Sequence, residues 1–199
     1  MLAHVRPAIV LLALFTLLTG LAYPLAMTGV AAVLFPRQAG GSLILRDGKV
    51  VGSALIGQNF VSTKYFHSRP SATSAPDPKD PSKTIDAPYN ADSSGGSNLG
   101  PTSKALIDRV KAGVEAKRAE GWTGPLPADA LTASASGLDP DISPENALLQ
   151  APEVARARGL DAGEVRQLVL AQARNPWMGF FGESRVNVLK LNLALDQME

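Results

Sequence analysis

PAIVLLALFTLLTGLAYPLAMTGVAAVLFP, residues 7–36, decides the architecture of this chain: thirty consecutive positions without a charge, between Arg6 and Arg37. The hydrocarbon core of a bilayer, about 30 Å thick, is crossed by about 20 apolar helical residues. The run is therefore long enough to span with some tilt, or with a bend at Pro24. The competing reading is a cleaved export signal, whose apolar part covers about 7–15 residues before a small-residue cleavage site. Here the apolar character continues to Phe35, which favours a retained anchor. The expected layout is a short cytoplasmic tail over 1–7, a transmembrane helix over 8–35 and an exported domain over 36–199. Arg6 and the amino terminus, just ahead of the span, favour a single pass through the inner (cytoplasmic) membrane with the N-terminus inside and the bulk of the chain outside. Arg37 and Arg46 oppose that only weakly, because long domains translocate largely regardless of their charge. Within the span Thr19, Ala22, Ala26 and Gly29 recur at helical spacing. Small residues let membrane helices approach closely, so these four form the expected packing face, against a background of Ala and Gly that membrane helices carry anyway.

The totals bound what the remainder can do. Nineteen Lys and Arg against eighteen Asp and Glu leave the 199-residue chain almost neutral. It lacks the basic excess that nucleic-acid binding uses to displace counterions. Cysteine is absent and only His4 and His67 are available, so thiolate sites and multi-histidine metal sites are excluded within one copy.

After the span, two apolar runs flank Asp47-Gly48, the pair suited to a type I′ turn, and predict a β-hairpin. From Ser71 to Ser103, seven Ser, five Pro and three Gly in 33 residues accompany just two aliphatic side chains larger than Ala, Ile85 and Leu99. Such a stretch cannot build its own core and reads as a long insertion, 71–103, interrupting one domain. Leu106, Ile107, Val110 and Val114 then recur at helical spacing up to a stop at Gly121. A second helical region starts with Ser143 as cap and Pro144 at the first helical position, is broken by Pro152 and ends at Gly159. DAGEVRQLVLAQARN begins a third. In the terminal RVNVLKLNLALDQME, leucines at 189, 191, 193 and 195 alternate with other residues, which predicts a half-buried strand. The fold class expected is a mixed α/β (α+β) exported domain behind one N-terminal transmembrane helix.

Motifs that could carry chemistry are few. Gly52 and Gly57 have phosphate-loop spacing, but Gln58 and Asn59 stand where Lys and Ser/Thr are needed. Asp80 to Thr84 reads as flexible loop. Ser71 with Lys64, or Ser103 with Lys104, are the nearest Ser-Lys pairs for nucleophilic catalysis, and no motif supports either. YFHSRPSA, with Tyr65, His67, Arg69 and Ser71, is richer: aromatic rings and Arg are the side chains enriched where proteins bind each other. An anchored ligand-binding domain that uses this cluster is the alternative function.

Together, TGLAYPL, QAGGSLI, GSALIGQNF, YFHSRPSA, GSNLGP, SASGLDPDIS and the terminal VNVLKLNLALD, in that order, resemble the C chain of the Kdp-type potassium-transporting ATPase of bacteria and archaea, over about Arg6 to Asp196. The resemblance implies a single-span accessory subunit of a high-affinity, ATP-driven potassium uptake pump. Its implied partners are a channel-like potassium-binding subunit, a P-type ATPase subunit and a small single-span subunit. It implies no catalytic residue and no cofactor on this chain, since the complex handles ATP and potassium. The family has been described as a chaperone that raises the pump's affinity for ATP. The P-type phosphorylation signature Asp-Lys-Thr-Gly-Thr is absent here, and so is Thr-Gly-Glu. With the domain outside and ATP inside, an effect on ATP affinity would be transmitted through the membrane subunits as a coupling between sites. Candidate docking residues in these motifs are Tyr65, His67, Arg69, Ser71, Ser97, Asn98, Ser136, Gly137, Asp139, Ser143, Asn187 and Asn192.

SASGLDPDISPE (134–145) gathers three carboxylates, yet lacks the Asp-x-Asp-x-Asp-Gly order of a calcium loop. Asp139-Pro140 forms turns, and Ser143-Pro144-Glu145 starts a helix. Ala135 departs from the family's usual Gly, and Asp141 occupies a variable place. Ser136, Gly137, Asp139 and Ser143 are therefore expected to set a rigid turn and cap that supports the fold or a docking surface.

Overall fold

Charge-free sequence becomes helix at once in the computed structural model, which describes residues 2–198. Helix α1 (Leu2–Leu17) passes through one π-turn (Leu18–Ala22) into α2 (Tyr23–Leu34). Ala3–Leu34 forms 32 residues of helix, within which an 18-residue stretch has a mean hydropathy of 2.2 and no buried residue. At 1.5 Å per residue the whole helix is about 48 Å long, more than the hydrocarbon thickness. The π-turn lies just ahead of Pro24, which has no N–H to offer the preceding turn. The Tyr23 N–H reaches back to the Leu18 carbonyl, and the Thr19 hydroxyl donates to the Phe15 carbonyl at 2.6 Å. Of the row Thr19, Ala22, Ala26, Gly29, the first two lie inside this wider turn and the last two in α2.

The chain divides into two compact units at Ser53/Ala54. The first continues with the short helix α3 (Pro36–Ala39) and a hairpin of β1 (Leu43–Arg46) and β2 (Lys49–Ser53). Asp47 (φ 52°) and Gly48 (φ 75°) both take the left-handed conformation, as a type I′ turn demands. Arg46 pairs with Lys49 and Leu45 with Val50.

The second unit, beginning at Ala54, holds the core. Its frame is a two-residue antiparallel ladder, β5 (Asp141–Ile142) with β6 (Val186–Asn187), from which two helices depart at once. Helix α5 (Pro144–Arg158) follows β5, α6 (Ala162–Gln172) packs on α5, and α7 (Val188–Leu195) follows β6 and packs on α6. Ala147, Ala151, Val154 and Ala155 of α5 meet Val165 and Val169 of α6, while Val188, Leu191 and Leu195 of α7 close the layer with Ile142, Val186 and Phe66. Each fully buried Leu or Val stabilises by about 1.5–3 kcal/mol. Outside this core lie the small β3 (Ser74–Pro76) and β4 (Thr84–Asp86) ladder, α4 (Lys104–Ala119) and a 3-10 turn at Ala128–Ala130. The structure is a mixed helix and small-sheet domain after one long apolar helix.

Two expectations fail here. The terminal leucines form helix α7, not a strand. Val188, Leu191, Asn192 and Leu195 are all buried, at spacings of three, four and seven. The alternation of 189, 191, 193 and 195 is coincidental, because Asn192 faces inward. Pro152 does not break its region either: α5 runs unbroken through it to Gly159, which caps in the left-handed conformation (φ 69°). A mid-helix proline costs about 3 kcal/mol. Buried Ala151, Val154 and Ala155 on either side hold the helix together regardless.

Candidate functional site

The candidate residues fall into two adjoining groups, both organised by the segment 65–71. In the first, that segment enters the core with no neighbouring strand to pair with. Phe66 is completely buried, and one helical amide satisfies its backbone on both sides: the Phe66 N–H donates to Asn192 Oδ1 at 2.8 Å, and Asn192 Nδ2 donates to the Phe66 carbonyl at 3.0 Å. Gln150 of α5 repeats the device one residue on. The His67 N–H donates to Gln150 Oε1 at 2.7 Å, and Gln150 Nε2 donates to the His67 carbonyl at 3.1 Å. Gln150 Nε2 also donates to Asn146 Oδ1 at 3.0 Å. Buried backbone groups must be paired, and here two side-chain amides do what a β-strand would do. The Tyr65 ring lies beneath the Arg158 guanidinium at 4.7 Å, and Arg158 also donates to the Lys64 carbonyl and to Asp196. The His67 ring approaches the Ser62 carbonyl through Nε2 at 3.1 Å.

In the second group, Arg69 and Asp139 form an ion pair of 2.9 Å with both side chains about three-quarters shielded. The Asp139 Oδ1 atom accepts from the Asp141 N–H, which makes the Asp-Pro turn rigid. Arg69 Nε is buried and has no acceptor among the described residues. Tyr89, out of the Ser- and Pro-rich insertion, closes this group. Its hydroxyl donates to the Arg69 carbonyl at 2.8 Å, and burial pushes the phenol up to about 12. The Ser71 hydroxyl donates to the Gly137 carbonyl at 2.8 Å and accepts from the Tyr89 N–H at 3.0 Å. The Thr73 hydroxyl donates to the Ala87 carbonyl and accepts from the Asn90 N–H. Two glycines permit this closeness. A Cβ on Gly137 (φ 67°) would sit 2.5 Å from Thr73 Cγ2 and 2.7 Å from the Gly95 carbonyl oxygen. One on Gly57 would sit 2.4 Å from the Tyr89 ring and 2.6 Å from the Asp139 carbonyl oxygen.

Other candidates serve as caps. Ser143 accepts from the Asn146 N–H, and Asp129 receives both the Ser143 N–H and the Asn146 side-chain amide. Asn187 caps α7 through the Lys190 N–H and ties Asp141 and the Ala54 carbonyl together through Nδ2. Asp141 also pairs with Arg185 at 3.1 Å, which holds β5 to the stem of the loop before β6. Ser136 accepts from the Leu138 N–H, and its carbonyl accepts from the Gly95 N–H. Ser97 lies apart, near the Arg109 guanidinium at 3.4 Å, and Asn98 is exposed with φ 50°.

Chemically, these arrangements support rather than react. The Ser71 hydroxyl donates to the Gly137 carbonyl, and the Gly57 N–H donates to the Leu138 carbonyl at 2.8 Å. A cleft of about 810 Å³ adjoins Arg69, Asp129, Asp139, Asp141, Ser143 and Arg185. Asp139 and Asp141 there are paired with Arg69 and Arg185, Asp129 accepts the cap hydrogen bonds, and Glu145 and Glu183 line the cleft as well. Among the described residues no three His, Asp or Glu side chains are grouped to hold a metal. Sequence reasoning missed Tyr89, Gln150 and Asp129. Tyr89 was the lone aromatic residue in an otherwise core-free insertion, and that was the available signal. It also missed the loop 176–182, whose apolar side chains are exposed.

Comparison with known proteins gives one consistent result. A family model described as "K+-transporting ATPase, c chain" matches residues 5–197. The chain is 64% identical over 198 residues to a protein of Methylobacterium nodulans named "Potassium-transporting ATPase KdpC subunit", covering 100% of this chain and 98% of the relative. Relatives of the same name in Rhodopseudomonas palustris (strain BisB5) and Bradyrhizobium diazoefficiens are 64% and 62% identical, over 98% and 99% of this chain and 98% of each relative.

Proposed function

The chain belongs to the c-chain family of K+-transporting ATPases, and on that premise we propose that it is the non-catalytic accessory subunit that assembles and stabilises a high-affinity potassium uptake pump. Its partners in this reading are a channel-like potassium-binding subunit, a P-type ATPase subunit and a small single-span subunit. The apolar helix crosses the inner membrane once with the N-terminus cytoplasmic, and the unit from Ala54 onward lies outside. The observation that carries the reading is the full-length family match on a chain whose polar motif residues are spent on caps, turns and clasps. Asn192, Gln150, Ser143 and Asn187 each bind backbone, as a subunit built to present a fixed surface requires. The sequence lacks the P-type phosphorylation signature, which supports a reading in which phosphoryl transfer belongs to another subunit.

In this reading, any rise in the pump's ATP affinity is a coupling free energy carried through the membrane subunits, with no ATP site on this chain. Deletion of the chain tests the proposal. Growth at very low potassium should be lost, and the remaining subunits should separate in detergent. Undiminished growth without the chain would overturn it. Protease accessibility of the exposed Lys83 in intact and opened cells tests the orientation.

A further inference from the structure

Between α6 and β6 the chain makes a protruding loop, NPWMGFFGES (175–184), that the subunit's fold does not use. Trp177, Met178, Phe180 and Phe181 are 70%, 66%, 68% and 57% exposed. Large apolar side chains exposed together mark an interaction surface. The loop is a stiff presentation of them. The Arg174 and Arg185 backbones pair in both directions at its base, the Phe181 N–H donates to the Trp177 carbonyl at 3.0 Å, and the Gly179 N–H donates to the Pro176 carbonyl at 3.0 Å. Met178 (φ 53°) and Gly179 (φ 82°) turn the tip. The Phe181 ring makes tilted contacts with Phe180 at 4.4 Å and Trp177 at 5.7 Å between centroids.

We propose that this loop is a second membrane contact, its apolar tip seated in the headgroup–acyl boundary of the bilayer that holds the chain's own helix. Three observations select lipid over a protein partner. From Pro176 to Gly182 no side chain is charged, and the indole N–H of Trp177 is the sole side-chain hydrogen-bonding group. A protein interface uses about one hydrogen bond per 100–200 Å² to fix its register, whereas a bilayer asks for none, and Trp is the side chain enriched at its boundary. Arg174 is exposed at the base of the tip, complementary to anionic headgroups; beside it Arg185 is exposed and paired with Asp141, and Glu183 adds a further negative charge. Finally, Ala54 follows Leu34 by 20 positions. Fully extended, that connection spans at most about 70 Å, and the β1–β2 hairpin folds part of it back, so the second unit is confined near the membrane at high effective concentration.

The inference rests on the single-span reading above, and the test separates the two. Trp122→Phe leaves Trp177 as the sole tryptophan of the chain. The full-length variant is placed in phosphatidylcholine–phosphatidylglycerol vesicles whose acyl chains are brominated near the headgroup, both alone and within the assembled pump. Trp177 emission should shift to shorter wavelength, lose most of its intensity to the bromines and resist aqueous iodide. Adding Phe180→Ser and Phe181→Ser should reverse all three, while alkaline carbonate still fails to extract the chain. Emission blind to the bromines and open to iodide overturns the proposal. Emission shielded from iodide yet blind to the bromines in the pump also overturns it, since the loop is then covered by protein. Extraction of the chain by carbonate sinks the single-span reading, whatever the bromines report.

Discussion

Replacing Asn192 by Leu keeps the number and branching of the side-chain heavy atoms and removes both of its hydrogen bonds to Phe66. The N–H and carbonyl of Phe66 then lie in a site with no exposure, 2.8 and 3.0 Å from groups that no longer answer. A buried polar group left unpaired costs about 1–3 kcal/mol, so the two together predict a loss of about 2–6 kcal/mol. The apolar transfer gain of Leu offsets part of this. Against a domain stability of about 5–15 kcal/mol, the variant sits close to unfolding. Gln150→Leu should cost less, because His67 is only half-buried and water can reach its backbone. The full-length chain in detergent, unfolded with urea and followed by the emission of buried Trp122, gives the comparison. A midpoint for Asn192→Leu equal to that of the unmutated chain, or a larger loss for Gln150→Leu, would refute the clasp as the reason the segment stays inside.

Two further outcomes follow from the second group. Burial raises the Tyr89 phenol from 10.0 to about 12. Between those values the unfolded chain has lost the proton and the folded chain keeps it, so stability is fully present below about pH 10 and falls as the pH rises toward 12. Tyr89→Phe should cost about 1 kcal/mol at neutral pH through the lost bond to the Arg69 carbonyl and should flatten that alkaline decline; an unchanged pH profile in thermal melts would contradict the assignment. Asp139→Ala removes a partly shielded ion pair and a turn bond, together about 1–2 kcal/mol. It should lower the melting temperature of the full chain equally with and without added divalent cation, and a cation-dependent difference would restore the metal reading of SGLDPD.

Much of this architecture was legible because local chemistry and tertiary packing agree. Thirty uncharged residues can only be a long apolar helix, Asp47-Gly48 takes the double left-handed turn its composition asks for, and Ser143-Pro144 starts α5 as a cap followed by a first-turn proline. The failures came where a polar residue is buried. Asn192 was assigned to the wet side of an alternating strand, because periodicity counts an amide as polar and cannot see a backbone waiting for it 126 positions away. Pro152 was given its local meaning, which the burial of its neighbours overrides. In the candidate site, Asp139 and Ser143 emerged as turn and cap residues from sequence alone. Tyr89 could not, since its partners on Arg69 and Ser71 become neighbours only when the insertion folds back.

The amide clasp has a consequence for how such a chain survives before it meets its partners. An extended segment in a protein core usually belongs to a sheet, and a sheet has a rim where a stranger's strand can add. Phe66 and His67 have no rim. Their four backbone groups are taken by side chains that belong to helices, and a helix side chain offers an incoming strand no ladder to continue. This subunit thus carries a buried extended segment in a form that offers no ladder for strand exchange between copies.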